Sequence, residues 1–289
     1  MFKLKFLIKS FLFLLILTIP FKNFCFSEDK DKIFLTTIPK SGTHLMIKLF
    51  VIMTEKNPSN IPGLMDYSQF FRFYKEPQSY QKMFPLMTKL INYSYENKMF
   101  PVVHTNFAEP ILEYFLESKQ KFKKFIMIRD LRDVIISAVF YQHDIIEQHI
   151  GPSTIEEKIT YLLTLKNSDQ DRYIIITRKY AQKALKLMED DSFFVCRFED
   201  LVGEKGGGDK ELQAKTIVDI ANHLKYPLDD EQLEKIIDEL FGNETGPKIS
   251  VTFKDGQIGK WRNYFTEEHN RIFKERMGEL QLKLGYTLD

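Results

Sequence analysis

Ile33-Phe34-Leu35-Thr36-Thr37-Ile38-Pro39-Lys40-Ser41-Gly42-Thr43-His44-Leu45-Met46 is the stretch on which the fold turns. Ile33 to Ile38 is a short apolar and β-branched run that stops at a proline, as a buried strand does. From Thr43 to Glu55 the residues Leu45, Met46, Leu49, Phe50 and Met53 recur at helical spacing, so the strand leads into a helix. The loop between them, Pro39 to His44, contains a glycine that lets backbone amides approach a ligand. It also opens onto a helix amino terminus, a ready anion site. A bound phosphate or sulfate is therefore expected here. The lysine precedes the glycine and no Gly-Lys-Ser/Thr triplet follows, so this is not a Walker A loop, and an ordinary P-loop kinase is poorly supported. Turn preference alone also brings Gly and Ser into strand-to-helix connections, so the loop does not decide the matter by itself.

A second strand and helix have the same layout. Lys124 to Arg129 reads KFIMIR, the charged turn Asp130-Leu131-Arg132-Asp133 follows, and Val134 to Tyr141 reads VIISAVFY. Arg129, at the carboxyl end of the strand, offers a planar fork of donors, and Ser137 adds a hydroxyl one turn after Asp133. Both would face the crevice in which open α/β sheets bind ligands. The competing reading makes Arg129, Asp130, Arg132 and Asp133 solvated surface ion pairs.

With 289 residues, 44% of them hydrophobic and 14% aromatic, the chain is long enough to bury a full core, and one α/β domain is the simplest organisation. Strands are expected at Ile33 to Ile38, Val102 to His104, Lys124 to Arg129 and Phe193 to Arg197. Helices are expected from Asp229 to Leu240 and from Thr266 to Leu284, both covering the same side of the sheet, the one that faces the bound ligand. The fold class is a three-layer α/β fold with a central, mostly parallel sheet flanked by helices, P-loop-like in its strand, loop and helix order. Lys plus Arg total 41 against 40 Asp plus Glu, a formal charge of +1, so no global field recruits nucleic acid or an anionic membrane. Cys25 and Cys196 are the two cysteines. No paired Cys/His spacing suggests a metal, and none is expected.

The amino terminus reads as a leader, with Lys3, Lys5 and Lys9 before an apolar run from Phe11 to Ile19, then Pro20 and a polar stretch from Glu28. Residues 1–27 are expected to be a signal peptide or a signal anchor, with residues 28–289 forming the folded domain. Export or membrane association through this segment is the localisation it suggests, and a cytoplasmic protein is the alternative.

The Pro39–His44 loop resembles the 5′-phosphosulfate loop of the sulfotransferase family, and IRDLRDVIISAVFY is similar to that family's 3′-phosphate segment. Phe253 to Thr266, FKDGQIGKWRNYFT, looks like its closing loop, RKGxxGxWKNxFT. The three occur in the family's order. The resemblance implies transfer of a sulfuryl group from PAPS (3′-phosphoadenosine 5′-phosphosulfate) to an acceptor hydroxyl or amine, leaving PAP. Residue by residue, it implies that Lys40 contacts the bridging oxygen and 5′-phosphate, with Ser41, Gly42, Thr43 and His44 around them. Arg129 and Ser137 would grip the 3′-phosphate, and Lys254 and Gly256 would close over it. Asp255 stands where the family usually has lysine. Phe198, in VCRFEDL, resembles the strand end that approaches adenine, and Leu45 takes the place of the tryptophan that stacks on the base.

Such transfer needs positive charge at the leaving phosphate and a base for the acceptor's proton. Lys40 supplies the first. For the second, Asn106 falls where the family's histidine stands, and His104, two residues earlier on the same strand face, is the first alternative. His44, His143, Asp66 and Glu109 are further alternatives. If no base is in reach, the chain would be a catalytically inactive PAP/PAPS-binding module. The aromatic stretch from Asn57 to Asn97 is read either as an acceptor pocket or as a packing layer. Gly206-Gly207-Gly208 is read as a flexible surface loop without chemistry.

Overall fold

Successive residues of a strand point to opposite faces of its sheet, and in the strand Lys32–Thr37 both faces are apolar. Ile33 and Leu35 enter one core cluster and Phe34 the other. Phe122–Ile128 repeats the pattern, with Phe125 and Met127 on the first side and Ile126 and Ile128 on the second. Strands apolar on both faces have to be covered in front and behind, the condition of a parallel sheet between helical layers.

In the computed structural model the described residues are 32–53, 65–66, 102–105, 122–166, 175, 177–242 and 256–289, with backbone alone at 32, 65–66 and 102–105. The chain divides into units Met1–Lys30 and Asp31–Asp289, and every described residue belongs to the second. The leader expected over residues 1–27 lies outside the described residues, as do Asn106, Glu109, Lys254, Asp255 and nearly all of the aromatic stretch. Among the described residues no helix is long and apolar enough to cross a membrane.

Five strands form the sheet: β1 (Lys32–Thr37), β2 (Met65–Asp66), β3 (Val102–Thr105), β4 (Phe122–Ile128) and β5 (Phe193–Arg197). Their order is β2-β3-β1-β4-β5, and every neighbouring pair is parallel. The helices are α1 (Thr43–Met53), α2 (Leu131–Tyr141), α3 (His143–Ile150), α4 (Ile155–Thr164), α5 (Thr177–Leu187), α6 (Lys210–Leu224), α7 (Asp230–Leu240) and α8 (Glu267–Lys283). α1, α6 and α7 bury their apolar sides on the Ile33 and Leu35 face, and α2, α4, α5 and α8 on the Phe34 face. The three-layer α/β arrangement expected from the sequence is thus the one observed.

One expectation is corrected. α7 and α8 do not cover the same side of the sheet: Ile236 and Leu240 of α7 pack with α1, whereas Phe273 and Met277 of α8 lie in the opposite cluster, where α8 packs on α4 and α5. Each helix goes where its own apolar stripe finds a partner, and a stripe does not reveal from sequence which face of a two-faced sheet it will meet.

α8 begins with a reciprocal cap. The Thr266 hydroxyl accepts from the His269 amide at 3.2 Å, and His269 Nδ1 accepts from the Thr266 amide at 3.1 Å. The imidazole is buried, and its Nε2 lies 2.9 Å from Thr160 Oγ1 and 3.1 Å from the Glu156 carbonyl oxygen, so the cap also joins α8 to α4. With Nδ1 accepting, the proton of the neutral ring sits on Nε2. Thr266→Ala is expected to lower unfolding stability by about 1 kcal/mol, measured by urea titration, with the fold otherwise kept.

Candidate active site

Parallel pairing of β1 with β4 sets Thr37 beside Met127, and the bond continues past the strand: the Ile38 amide donates to the Met127 carbonyl at 3.2 Å. From β1 the chain moves out to β3 and β2 on one side, and from β4 it moves to β5 on the other. The carboxyl ends of these two central strands therefore flank the topological switch point, where open α/β sheets bind ligands. The two segments singled out as anion sites, Pro39–His44 and the Arg129 turn, stand side by side there.

Ser41 fastens the loop. It is fully buried, its hydroxyl donates to the Met127 carbonyl at 2.9 Å, and its amide donates to Ile38 at 3.0 Å. The sequence reading made Ser41 a ligand donor, but the structure commits both of its donors to holding the loop against β4. Gly42 has φ +106°, and a Cβ there would lie 2.5 Å from Phe198 Cδ2 and 2.9 Å from Met127 Cε. Only glycine fits. The ladder of α1 begins with the Leu45 amide donating to Gly42, so the amides of Gly42, Thr43 and His44 precede the first intrahelical donor. The Thr43 and Thr37 hydroxyls are 2.8 Å apart, and the His44 side chain is exposed. Lys40 adopts φ +72°, a left-handed conformation that costs a residue with a Cβ on the order of 1 kcal/mol.

Arg129 is buried and its guanidinium is held on several sides. Its Nη2 donates to the Gln257 carbonyl at 2.8 Å and lies 3.5 Å from Asp133 Oδ2, and its Cζ lies 4.0 Å from the centre of the Phe198 ring. Its Nε is buried and has no hydrogen-bond partner among the described residues. A buried guanidinium N–H without an acceptor is costly, and an anion at this position would satisfy it.

The solvated surface pairs offered as the competing reading of this turn are ruled out. Arg129, Asp130, Arg132 and Asp133 are all buried. Arg132 grips Asp130 through Nε and Nη2, the latter at 2.7 Å, and also donates to the carbonyls of Thr287 and Asp289. Asp133 accepts from the amides of Gly259 at 2.8 Å and Trp261 at 2.9 Å. Burial pushes the Asp133 carboxyl upward, while Arg129 and those two amides draw it back down. Ser137, one turn on from Asp133, is half-buried on α2.

Other expected residues stand as follows. Phe198 is buried beneath Gly42 and Arg129, so its ring supports the loop and the guanidinium rather than presenting an open face. Leu45 packs partly buried against the α1 side of the core. Gly256 has φ +60° and precedes Gln257, the residue that meets Arg129. Lys254 lies outside the described residues. His104 is described by its backbone: it pairs with Leu35 on one side and with Asp66 on the other, which puts two of the base candidates on adjacent strands. His143 is exposed at the start of α3, 3.6 Å from Glu147. Among the described residues no group of His, Cys, Asp or Glu is arranged to hold a metal.

Several contributors were not singled out from the sequence. The Gly206 region, read as a flexible surface loop, is a 3₁₀ turn (Glu204–Gly206) in which Gly206 is buried against Val202 and Phe241. It braces the closing segment: Ile258 N donates to Gly206 O at 3.0 Å and Gln257 Nε2 to Lys205 O at 3.0 Å. Three consecutive glycines were the available signal, since close backbone approach also selects glycine. Glu199 accepts from the Asp130 amide at 3.0 Å and from the Tyr286 hydroxyl at 2.7 Å, tying the arginine turn to the last residues of the domain.

A sequence model of the family described as Sulfotransferase domain matches residues 30–285. The chain belongs to the sulfotransferase domain family, a class of PAPS-dependent transferases. Among solved structures, mouse sulfotransferase SULT7A1 complexed with PAP is similar at a TM-score of 0.56 and 18% identity, covering 90% of this chain and 89% of that one. A retinol dehydratase in complex with androsterone and inactive cofactor PAP is similar at a TM-score of 0.53 and 17% identity, with 89% and 81% covered. Comparison with curated proteins finds no match.

Burial raises the Glu199 carboxyl above its ordinary value, against the pull of Tyr286, the Asp130 amide and Arg129. A raised carboxyl binds its proton more readily in the folded chain, so its contribution is fully present below the ordinary value and is lost as pH rises through the raised one. Glu199→Gln is expected to flatten that part of the stability profile, followed as urea midpoints from about pH 4 to about pH 7. An unchanged profile would assign the titration to another carboxyl.

Proposed function

We propose that the chain transfers a sulfuryl group from PAPS to a hydroxyl or amine of an acceptor molecule by in-line displacement. The observation that carries this reading is the buried, unpartnered Arg129 Nε beside a glycine loop at the switch point of the sheet. The donor set fits a nucleotide bearing two separate anionic groups. The amides of Gly42 and Thr43 with the Lys40 side chain would meet one of them, and Arg129 with Ser137 the other. When bound, PAPS supplies the activated sulfuryl group. Lys40 would hold positive charge where the leaving phosphate develops its own, and Arg129 would fix the nucleotide's register through the 3′-phosphate. Gln257, bonded to Arg129 and Lys205, and Ile258, bonded to Gly206, would with the adjacent Gly256 close that end against water. His104 is the proposed base, supported by its place in β3 next to β1.

The acceptor is the partner this reading requires. The leader read over residues 1–27 puts the reaction in an exported or membrane-associated enzyme, with a cytoplasmic one as the alternative.

Calorimetric titration with PAP of a chain spanning residues 28–289 tests the nucleotide site. Wild-type protein is expected to bind, Arg129→Ala to lose on the order of 2 kcal/mol or more, and Lys40→Ala to bind more weakly than wild type. Absence of wild-type binding would remove the basis of the proposal. Radiolabelled PAPS with a panel of phenols, steroids, sugars and amines then separates an active transferase, whose turnover His104→Ala should reduce by about a hundredfold or more, from a chain that binds the nucleotide and transfers nothing.

A further inference from the structure

Tyr141 is the last residue of α2, is 54% exposed, and carries the Lys40 ammonium over its ring, with Nζ 3.8 Å from the ring centroid. Neither its exposure nor its place at a helix end predicts such a contact, since Lys40 lies in the loop after β1 and reaches a different helix to make it. On α2, Asp133, Ser137 and Tyr141 are spaced four residues apart and share one face. The same face therefore carries, in succession, the carboxylate that holds Arg129, the hydroxyl expected at the 3′-phosphate, and the ring against which Lys40 rests.

We propose that Tyr141 is a positioning residue for Lys40, holding its ammonium at the α2 wall of the crevice so that both anionic groups of the nucleotide meet a prearranged charge. The inference rests on the nucleotide reading given above. A lysine side chain has a flexible four-carbon stem and loses considerable rotamer freedom when it is fixed. An aromatic face attracts the cation through its quadrupole and leaves the positive charge in place. The left-handed backbone at Lys40 has the same sense, because it aims a residue with a Cβ from a position that would be less strained as glycine.

The test is PAP affinity by calorimetry for Tyr141→Phe and Tyr141→Leu, each in the wild-type and Lys40→Met backgrounds, with unfolding midpoints measured alongside. Tyr141→Leu is expected to weaken binding about two- to fivefold, the range of an exposed cation–π contact. Tyr141→Phe, which keeps the ring, is expected to bind as wild type does. In the Lys40→Met background the leucine substitution is expected to change nothing, which a purely structural effect of the ring would not produce. The inference is overturned if Tyr141→Leu weakens binding equally in both backgrounds, if Tyr141→Phe is as weak as Tyr141→Leu, or if either substitution tightens binding. Wild-type protein that fails to bind PAP overturns the nucleotide reading itself, and this inference with it; wild-type binding with any of the other three outcomes overturns this inference alone.

Discussion

A single buried carboxylate, that of Asp133, holds together parts of the chain that are far apart in sequence. It receives the amides of Gly259 and Trp261 and faces the Arg129 guanidinium at the end of β4. Removing water from a carboxylate is expensive, and here the cost is offset by two backbone donors and one cation, without full neutralisation. Because Arg129 also donates to the Gln257 carbonyl, the arginine and the closing segment are not independent. The guanidinium and the segment share a direct hydrogen bond as well as the Asp133 carboxylate. The carboxyl end of β4 is thus built around a carboxylate whose partners are all within the chain's own turn and closing segment.

The same logic organises the neighbouring arginine. Arg132 is almost fully buried, yet it does not point to the crevice; it is bound by Asp130 and by carbonyls near the carboxyl end, and it lies 3.9 Å from the centre of the Trp261 ring. Two arginines three residues apart therefore divide the work. One keeps a buried Nε without a hydrogen-bond partner among the described residues, and the other locks the turn that presents it. A helix spacing of three would have put them on one side of α2, but Arg129 precedes the helix, and its direction is set by the end of β4 instead.

Much of this could be read from the residues, and what could not has a physical reason. β1, β4 and the loop between β1 and α1 were legible because apolar strands bounded by proline or charge, followed by helical spacing, have few other solutions in a chain of this size. The close approach at the loop was legible because a glycine between a strand and a following helix permits it, and Gly42 adopts the positive φ that only glycine tolerates there. The burial of the Arg129 turn was not legible. Four charges in five residues look solvated until the carbonyls and amides that satisfy them arrive from residues 257–289, and such distant partners leave no local pattern. Ser41 was misjudged for a related reason: a loop serine offers the same hydroxyl to a ligand and to a neighbouring strand, and the register of β1 against β4 decided between them. The glycine triplet carried a signal, but one that fits exposed turns and tight backbone packing alike.

The clasp between the last residues and the start of α2 bears on how the molecule comes into being. The Leu131 amide donates to Gln281, Arg132 to Thr287, and Tyr286 to Glu199, contacts that span roughly 90 to 160 positions along the chain. Native contacts of such separation form late and slowly, because the loop they close is entropically costly before any contact rewards it. During synthesis the end of β4 carrying Arg129 emerges long before α8, so the nascent chain holds an arginine turn whose charges lack their final partners. The arginine turn therefore reaches its final arrangement only on completion of the fold, and an unfinished chain would have the glycine loop without it.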